Sequence, residues 1–108
     1  EFNYVENIIE AMLLTSSKLK NFDSPINIGS NKPIKIKNLV KKIHLLTNSK
    51  SKLQIGKINY RPNEIWKMQA DNRFVVNKIK WKPKVSFDQG LKISISWYRR
   101  FIQNNFNE

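Results

Sequence analysis

Three stretches of this chain repeat apolar residues at intervals of three and four, the spacing that returns side chains to one face of an α-helix, and runs punctuated by proline or glycine separate them. Val5, Ile8, Ile9, Met12 and Leu13 form the first stripe and predict a helix from Val5 to about Leu19. Ile36, Leu39, Val40, Ile43 and Leu46 share the second, behind Pro33, and predict a helix over the same span. Leu91, Ile95, Tyr98 and Ile102 carry the third, widened by Trp97 and Phe101, over Phe87 to about Gln103. Its start is the best marked: Ser86 followed by Gln89 is the reciprocal capping pattern, in which two side chains satisfy free amides of the first turn. Lys35, at the cap of the second helix, offers no acceptor, a loss of about 1 kcal/mol.

Between these helices the pattern changes. Ile26-Asn27-Ile28, after the Lys20 to Ser24 loop and Pro25 and ended by Gly29, predicts a short strand and turn. Leu53 and Ile55 alternate with polar neighbours, and the run through Ile58, between Ser51 and Pro62, predicts a second strand. Asp71 is placed to cap a short helix through Ile79, with Phe74 and Val75 inward, which Trp81-Lys82-Pro83 ends. The expected fold class is α/β, with about four helices around a small sheet of short strands.

A chain of 108 residues supports one core, so residues 1–108 are read as one domain or a piece of one. It begins at Glu1, already close to a helix, which suggests a truncated or processed product. Cysteine is absent and His44 stands alone, which excludes a disulfide framework, a thiolate metal site and an imidazole cluster. His44 lies at the edge of an apolar stripe, where a packed or partly exposed histidine is expected rather than a catalytic one. No apolar run reaches the roughly eighteen residues of a membrane span, nor is there a basic-then-apolar leader, so a cytoplasmic setting without membrane contact is expected.

The formal charge of +12 has two explanations. A basic face attracts phosphate, which makes a small nucleic-acid-binding module the alternative reading. Solvated lysines scattered by compositional bias are the plainer one, and the lysines from Lys18 to Lys57 are spread over several elements without a repeating aromatic partner. Nucleic acid is therefore not the expected partner.

Catalytic machinery is hard to find. Gly29, Gly56 and Gly90 are isolated, so no glycine-rich turn can approach a pyrophosphate. The eight carboxylates, Glu108 among them, sit at caps, exposed helix positions or termini and suggest no metal site. One loop stands out, Tyr60-Arg61-Pro62-Asn63-Glu64. An arginine on an ordered loop can hold two phosphate oxygens, and Glu64 can accept bonds from ribose hydroxyls. A surface ion pair between Arg61 and Glu64 is the competing reading, worth at most about 1 kcal/mol.

Four stretches in this order resemble the carboxyl-terminal third of the extended short-chain dehydrogenases that act on nucleotide sugars, the epimerases and dehydratases. Glu1 to Ala11 resembles the family's Arg-Asp-Phe-x-x-Val-x-Asp run into a helix, and Ile26-Asn27-Ile28-Gly29-Ser30 is similar to its Phe-Asn-Ile-Gly turn. Tyr60-Arg61-Pro62-Asn63-Glu64 resembles its Arg-Pro-Gly-Asp or Arg-Pro-Gly-Glu loop, and Asp71 through Trp81-Lys82-Pro83 to Gly90-Leu91 resembles its closing helix, Gly-Trp-x-Pro turn and final helix.

The resemblance implies a substrate-binding portion, normally attached to a Rossmann domain that this chain lacks, in which Arg61 holds the diphosphate of a nucleotide-diphosphate sugar and Glu64 the ribose. It implies NAD or NADP in the complete enzyme but no cofactor site here, and no catalytic residue. The family's Tyr-x-x-x-Lys pair is missing: Ile8, Glu64 and Ile102 stand four residues after Tyr4, Tyr60 and Tyr98. Glu1 replaces the usual Asp, Asn63 a Gly, and Lys80 the Gly before Trp81, which puts the usual helix ending in question. Apolar surface left without its neighbour makes self-association a further expectation.

Overall fold

A computed structural model describes residues 1–20 and 22–106. Asn21, in the loop read over Lys20 to Ser24, and Glu108, among the terminal carboxylates, lie outside the described residues. The order of elements is α1 (Val5–Lys18), α2 (Ile36–Leu46), a five-residue π-helix (Val75–Ile79) and α3 (Phe87–Phe106). Three of these fall where the periodicity put them; α3 runs a turn beyond its expected end.

The sheet does not form. Among the described residues there is no strand, so the α/β expectation gives way to a helical chain with long irregular connections. Residues 26–28 enter no strand, and the expected second strand breaks at a turn, where the Lys57 N–H donates to the Gln54 carbonyl (3.3 Å) and Gly56 takes a φ of 83°. The physical reason is partnership. Alternation marks a segment able to lie on a pleated surface, but a strand exists only where its amides and carbonyls meet a second backbone.

Packing concentrates between α1 and the π-helix. Ala11, Val75, Ile79 and Trp81 are fully buried there, with Leu14, Leu19, Ile26, Ile28, Phe74 and Val76 around them. The apolar stripe of α1 faces the other way. Its buried residues are Asn7 and Ala11, while Val5, Ile9, Met12 and Leu13 are exposed. The Lys18 ammonium donates to the Ile79 carbonyl (2.7 Å), closing the end of the π-helix from α1. Trp81 is buried with an indole N–H that meets no acceptor among the described residues, a cost of about 1–3 kcal/mol.

Lys80 answers the question raised by the missing glycine. It adopts the left-handed conformation (φ 60°, ψ 34°), and the Trp81 N–H reaches back to the Val75 carbonyl (3.2 Å). The helix ending survives with a side chain that disfavours it by about 1–2 kcal/mol. The capping pair before α3 forms as expected: the Gln89 Oε1 accepts from the Ser86 N–H (3.1 Å), and the Ser86 hydroxyl accepts from the Gln89 N–H (3.3 Å).

The second packed pair, α2 against α3, is looser. No side chain of α2 is buried, and polar ties reinforce the contact: a Lys42–Asp88 ion pair, and the Arg99 guanidinium donating to the Leu46 carbonyl (2.9 Å). The radius of gyration is 17.6 Å, against about 13 Å for a compact chain of this length. The accessible surface is 9440 Å², where a compact protein of this mass exposes about 6,300 Å². Outward-facing residues of α1 and α3 contribute to the surplus, and so does the run from 51 to 69, every residue of which is exposed.

Candidate functional site

Arg61 and Glu64 sit on a tight turn in the longest irregular connection of the chain. Every residue from 51 to 69 is exposed. Pro62 and Asn63 form the corner, and the Glu64 N–H donates to the Arg61 carbonyl (3.2 Å). Asn63 does not need the left-handed angles that would call for glycine; the non-glycine residues that take them are Asn31, Asn48 and Lys80. Replacement of the loop glycine by Asn63 is therefore free of backbone strain here.

The surface ion pair considered for Arg61 and Glu64 is not formed. Among the described residues the ion pairs are Lys42–Asp88, Arg73–Asp71 and Lys84–Glu10. Both side chains of the turn face solvent. Across its neck Tyr60 meets Trp66, with ring centroids 4.5 Å apart and planes tilted by 57°.

The rest of the sequence resemblance proves to be framework. Asn7 is buried 4% exposed, and its amide makes three bonds across the molecule: Oδ1 accepts from the Lys84 and Val85 N–H groups (3.1 and 3.0 Å), and Nδ2 donates to the Val85 carbonyl (2.7 Å). It fixes α1 to the entrance of α3. Asn72 donates from Nδ2 to the Gly29 carbonyl (2.9 Å). Two glycines make room for close approach. A Cβ on Gly90 would lie 2.7 Å from the Tyr4 Cβ, and one on Gly29 would lie 2.8 Å from the Ala70 Cβ.

Glu1 stitches three segments together. Its Oε1 accepts from the Ser30 hydroxyl (2.7 Å) and the Lys32 N–H (3.2 Å), and its Oε2 from the Ala70 N–H (2.9 Å). Partial burial pushes its pKa up, but the bonds from Ala70, Ser30 and Lys32 outweigh this and hold the carboxyl below its ordinary range. Glu1, Gly29 and Gly90 entered the sequence reading as parts of the family-like stretches, but their packing and bonding roles, and those of Asn7 and Asn72, were not read from it. The available signal was a glycine inside a helix, Gly90, which costs about 1 kcal/mol unless something packs against it.

A cleft of about 500 Å³ lies beside this framework, bordered by Tyr4, Asn7, Lys32, Lys82, Lys84 and Ser86 among others; Arg61 and Glu64 do not line it. Its amide and hydroxyl groups are engaged inward, Asn7 with Val85 and Ser86 with Gln89, and Lys84 pairs with Glu10. The exposed turn remains the better candidate for holding a ligand. No group of three or more potential metal ligands occurs among the described residues, and no described helix is long and apolar enough to cross a membrane.

Comparison with known proteins agrees with the order of motifs. The chain is 31% identical over 110 residues to the human dTDP-D-glucose 4,6-dehydratase, covering 95% of this chain and 30% of that protein. It is 32% identical over 108 residues to the UDP-N-acetyl-alpha-D-glucosaminuronate decarboxylase of Bacillus cytotoxicus (96% of this chain, 33% of that protein). To the GDP-mannose 3,5-epimerase of Arabidopsis thaliana it is 27% identical over 103 residues (94% and 26%). The chain thus spans about a third or less of the length of these relatives. No family model and no solved structure matches it. The chain belongs with the carboxyl-terminal part of the nucleotide-sugar epimerases and dehydratases of the extended short-chain dehydrogenase type.

Proposed function

We propose that residues 1–108 form a substrate-binding portion for a nucleotide-diphosphate sugar, with Arg61 holding the diphosphate and Glu64 the pentose hydroxyls, and that the chain performs no turnover alone. The observation that carries this reading is the solvent-facing Arg61–Glu64 turn within a sequence match that runs through 95% of the chain. The relatives' names span dTDP, GDP, UDP and CDP sugars. What those ligands share is a diphosphate on a pentose, the chemistry that a guanidinium and a carboxylate recognise.

In the proposed working form, a Rossmann portion binds NAD or NADP, which supplies hydride chemistry, and covers the outward stripe Val5, Ile9, Met12 and Leu13. The surplus exposed surface of the chain is on the order of 3,000 Å² by the size relation for compact proteins, a magnitude suited to a permanent interface. A second copy of the chain is the weaker occupant, because two partners at +12 each repel.

Titration of uridine diphosphate into the wild-type chain and Arg61→Ala tests the assignment. A lost charge-assisted contact of about 1.5–3 kcal/mol predicts a dissociation constant raised by roughly ten- to a hundredfold. Equal binding by the two proteins removes Arg61 from the site.

A further inference from the structure

The turn that presents Arg61 is closed by an aromatic pair which ion-pair and fold arguments leave without a role. Tyr60 immediately precedes Arg61, and Trp66 lies two residues after Glu64; their rings meet at 4.5 Å while each stays about 70% exposed, 72% for Tyr60 and 73% for Trp66. Elsewhere Phe22 meets Phe74 at the edge of the core (5.1 Å), and the remaining clustered aromatics lie along α3, where Trp97 stacks on Phe101 at 5.1 Å with planes 10° apart. That helix carries its rings on a regular element. The Tyr60–Trp66 pair instead stands on an irregular loop with no buried neighbour from residue 51 to residue 69. Along the chain Lys57, Arg61 and Lys67 stand within a few residues of it, against Glu64 alone.

We infer that Tyr60 and Trp66 form a stacking platform for the nucleobase of the ligand whose diphosphate Arg61 holds. The inference rests on the Arg61 reading and extends it from phosphate to base. An aromatic face accepts any of the four bases, because each has a π-face of its own, and discriminates among them weakly. The tilt between the rings leaves one face of at least one ring open to solvent, as their exposure requires. Arg61 follows Tyr60 directly in the chain, so a base on the platform and a diphosphate on the guanidinium belong to one ligand.

The experiment measures binding of uridine diphosphate, inorganic pyrophosphate and a single-stranded oligonucleotide to the 108-residue chain, to the double variant Tyr60→Leu/Trp66→Leu, to Tyr60→Phe/Trp66→Phe, and to Arg61→Ala. Both rings are largely exposed, so the substitutions leave the α1–π core untouched; circular dichroism of each variant checks that. The expected result is that the leucine variant binds uridine diphosphate about tenfold more weakly and pyrophosphate unchanged. The phenylalanine variant recovers most of the loss, and Arg61→Ala weakens both small ligands.

If Arg61→Ala weakens both while the leucine variant matches wild type, the platform is overturned and the Arg61 reading stands. If Arg61→Ala changes neither, or wild type binds neither small ligand, both ideas fall. Oligonucleotide binding that drops steeply with salt, with no binding of uridine diphosphate, overturns the platform in favour of nucleic acid.

Discussion

The α1–π-helix region and the α2–α3 pair are both made by packing helices together and are held in opposite ways. The first has fully buried Ala11, Val75, Ile79 and Trp81, with Asn7 bonding across to the entrance of α3. The second has half-buried Leu39, Val40 and Leu46, a cation over an aromatic ring (Lys42 Nζ 5.8 Å from the Phe87 centroid) and an ion pair beneath it. The difference teaches that helical periodicity secures the helix but not its burial. A core appears where small residues permit close approach and a buried amide sets the angle.

The strongest way to break that comparison is to hollow out each region. Ile79→Ala should cost about 2–5 kcal/mol, and Leu39→Ala less than half as much, by urea denaturation. Equal costs would erase the distinction. Next in size, Asn7→Ala leaves the Lys84 and Val85 amides without their acceptor and should cost about 2–3 kcal/mol, with hydrogen-exchange protection lost at those two amides. Asn7→Asp should cost less, since a carboxylate still accepts from both but cannot donate to the Val85 carbonyl.

Smaller and opposite in sign, Lys80→Gly removes the left-handed penalty and should stabilise the core side by about 1 kcal/mol, raising Tm by a few degrees. The smallest effect is electrostatic. The Arg73 guanidinium, then its backbone N–H, holds the exposed Asp71 carboxyl down to about 2. A depressed carboxyl contributes stability that is complete above its unfolded value and lost as pH falls through the folded one. The Asp71 contribution is therefore present at neutral pH and lost only as pH falls from its ordinary value of 3.8 toward about 2, and it is weak, the pair being in solvent. A carboxyl NMR titration should show it ionised down to about pH 2, and Arg73→Ala should return it toward the ordinary range.

Much of the helical skeleton was legible because its signals are local: the stripes over α1 and α2 and the Ser86–Gln89 cap each lie within a few turns of chain. The strands were misread because Ile26–Ile28 and Leu53–Ile58 carry only half of what a sheet needs, the other half being a second backbone. The orientation of α1 was hidden for a related reason: Val5, Ile9, Met12 and Leu13 report an apolar face without naming what meets it. Arg61 and Glu64 were found through order and resemblance, while Glu1, Asn7 and Asn72 act over separations of 29 to 78 residues that no local pattern encodes.

The π-helix has a consequence for how this region tolerates change in length. Its wider turn places one more residue between the Val75 carbonyl and the left-handed Lys80 than an α-turn would. Deleting a single residue between Val75 and Ile79 could restore ordinary helical bonding, yet it would swing everything downstream by roughly 100° and carry Trp81 out of its buried position. Exposed Asn77 and Lys78 can thus be exchanged for other side chains freely, but neither can be dropped: the segment works as a spacer whose count of residues matters more than their chemistry.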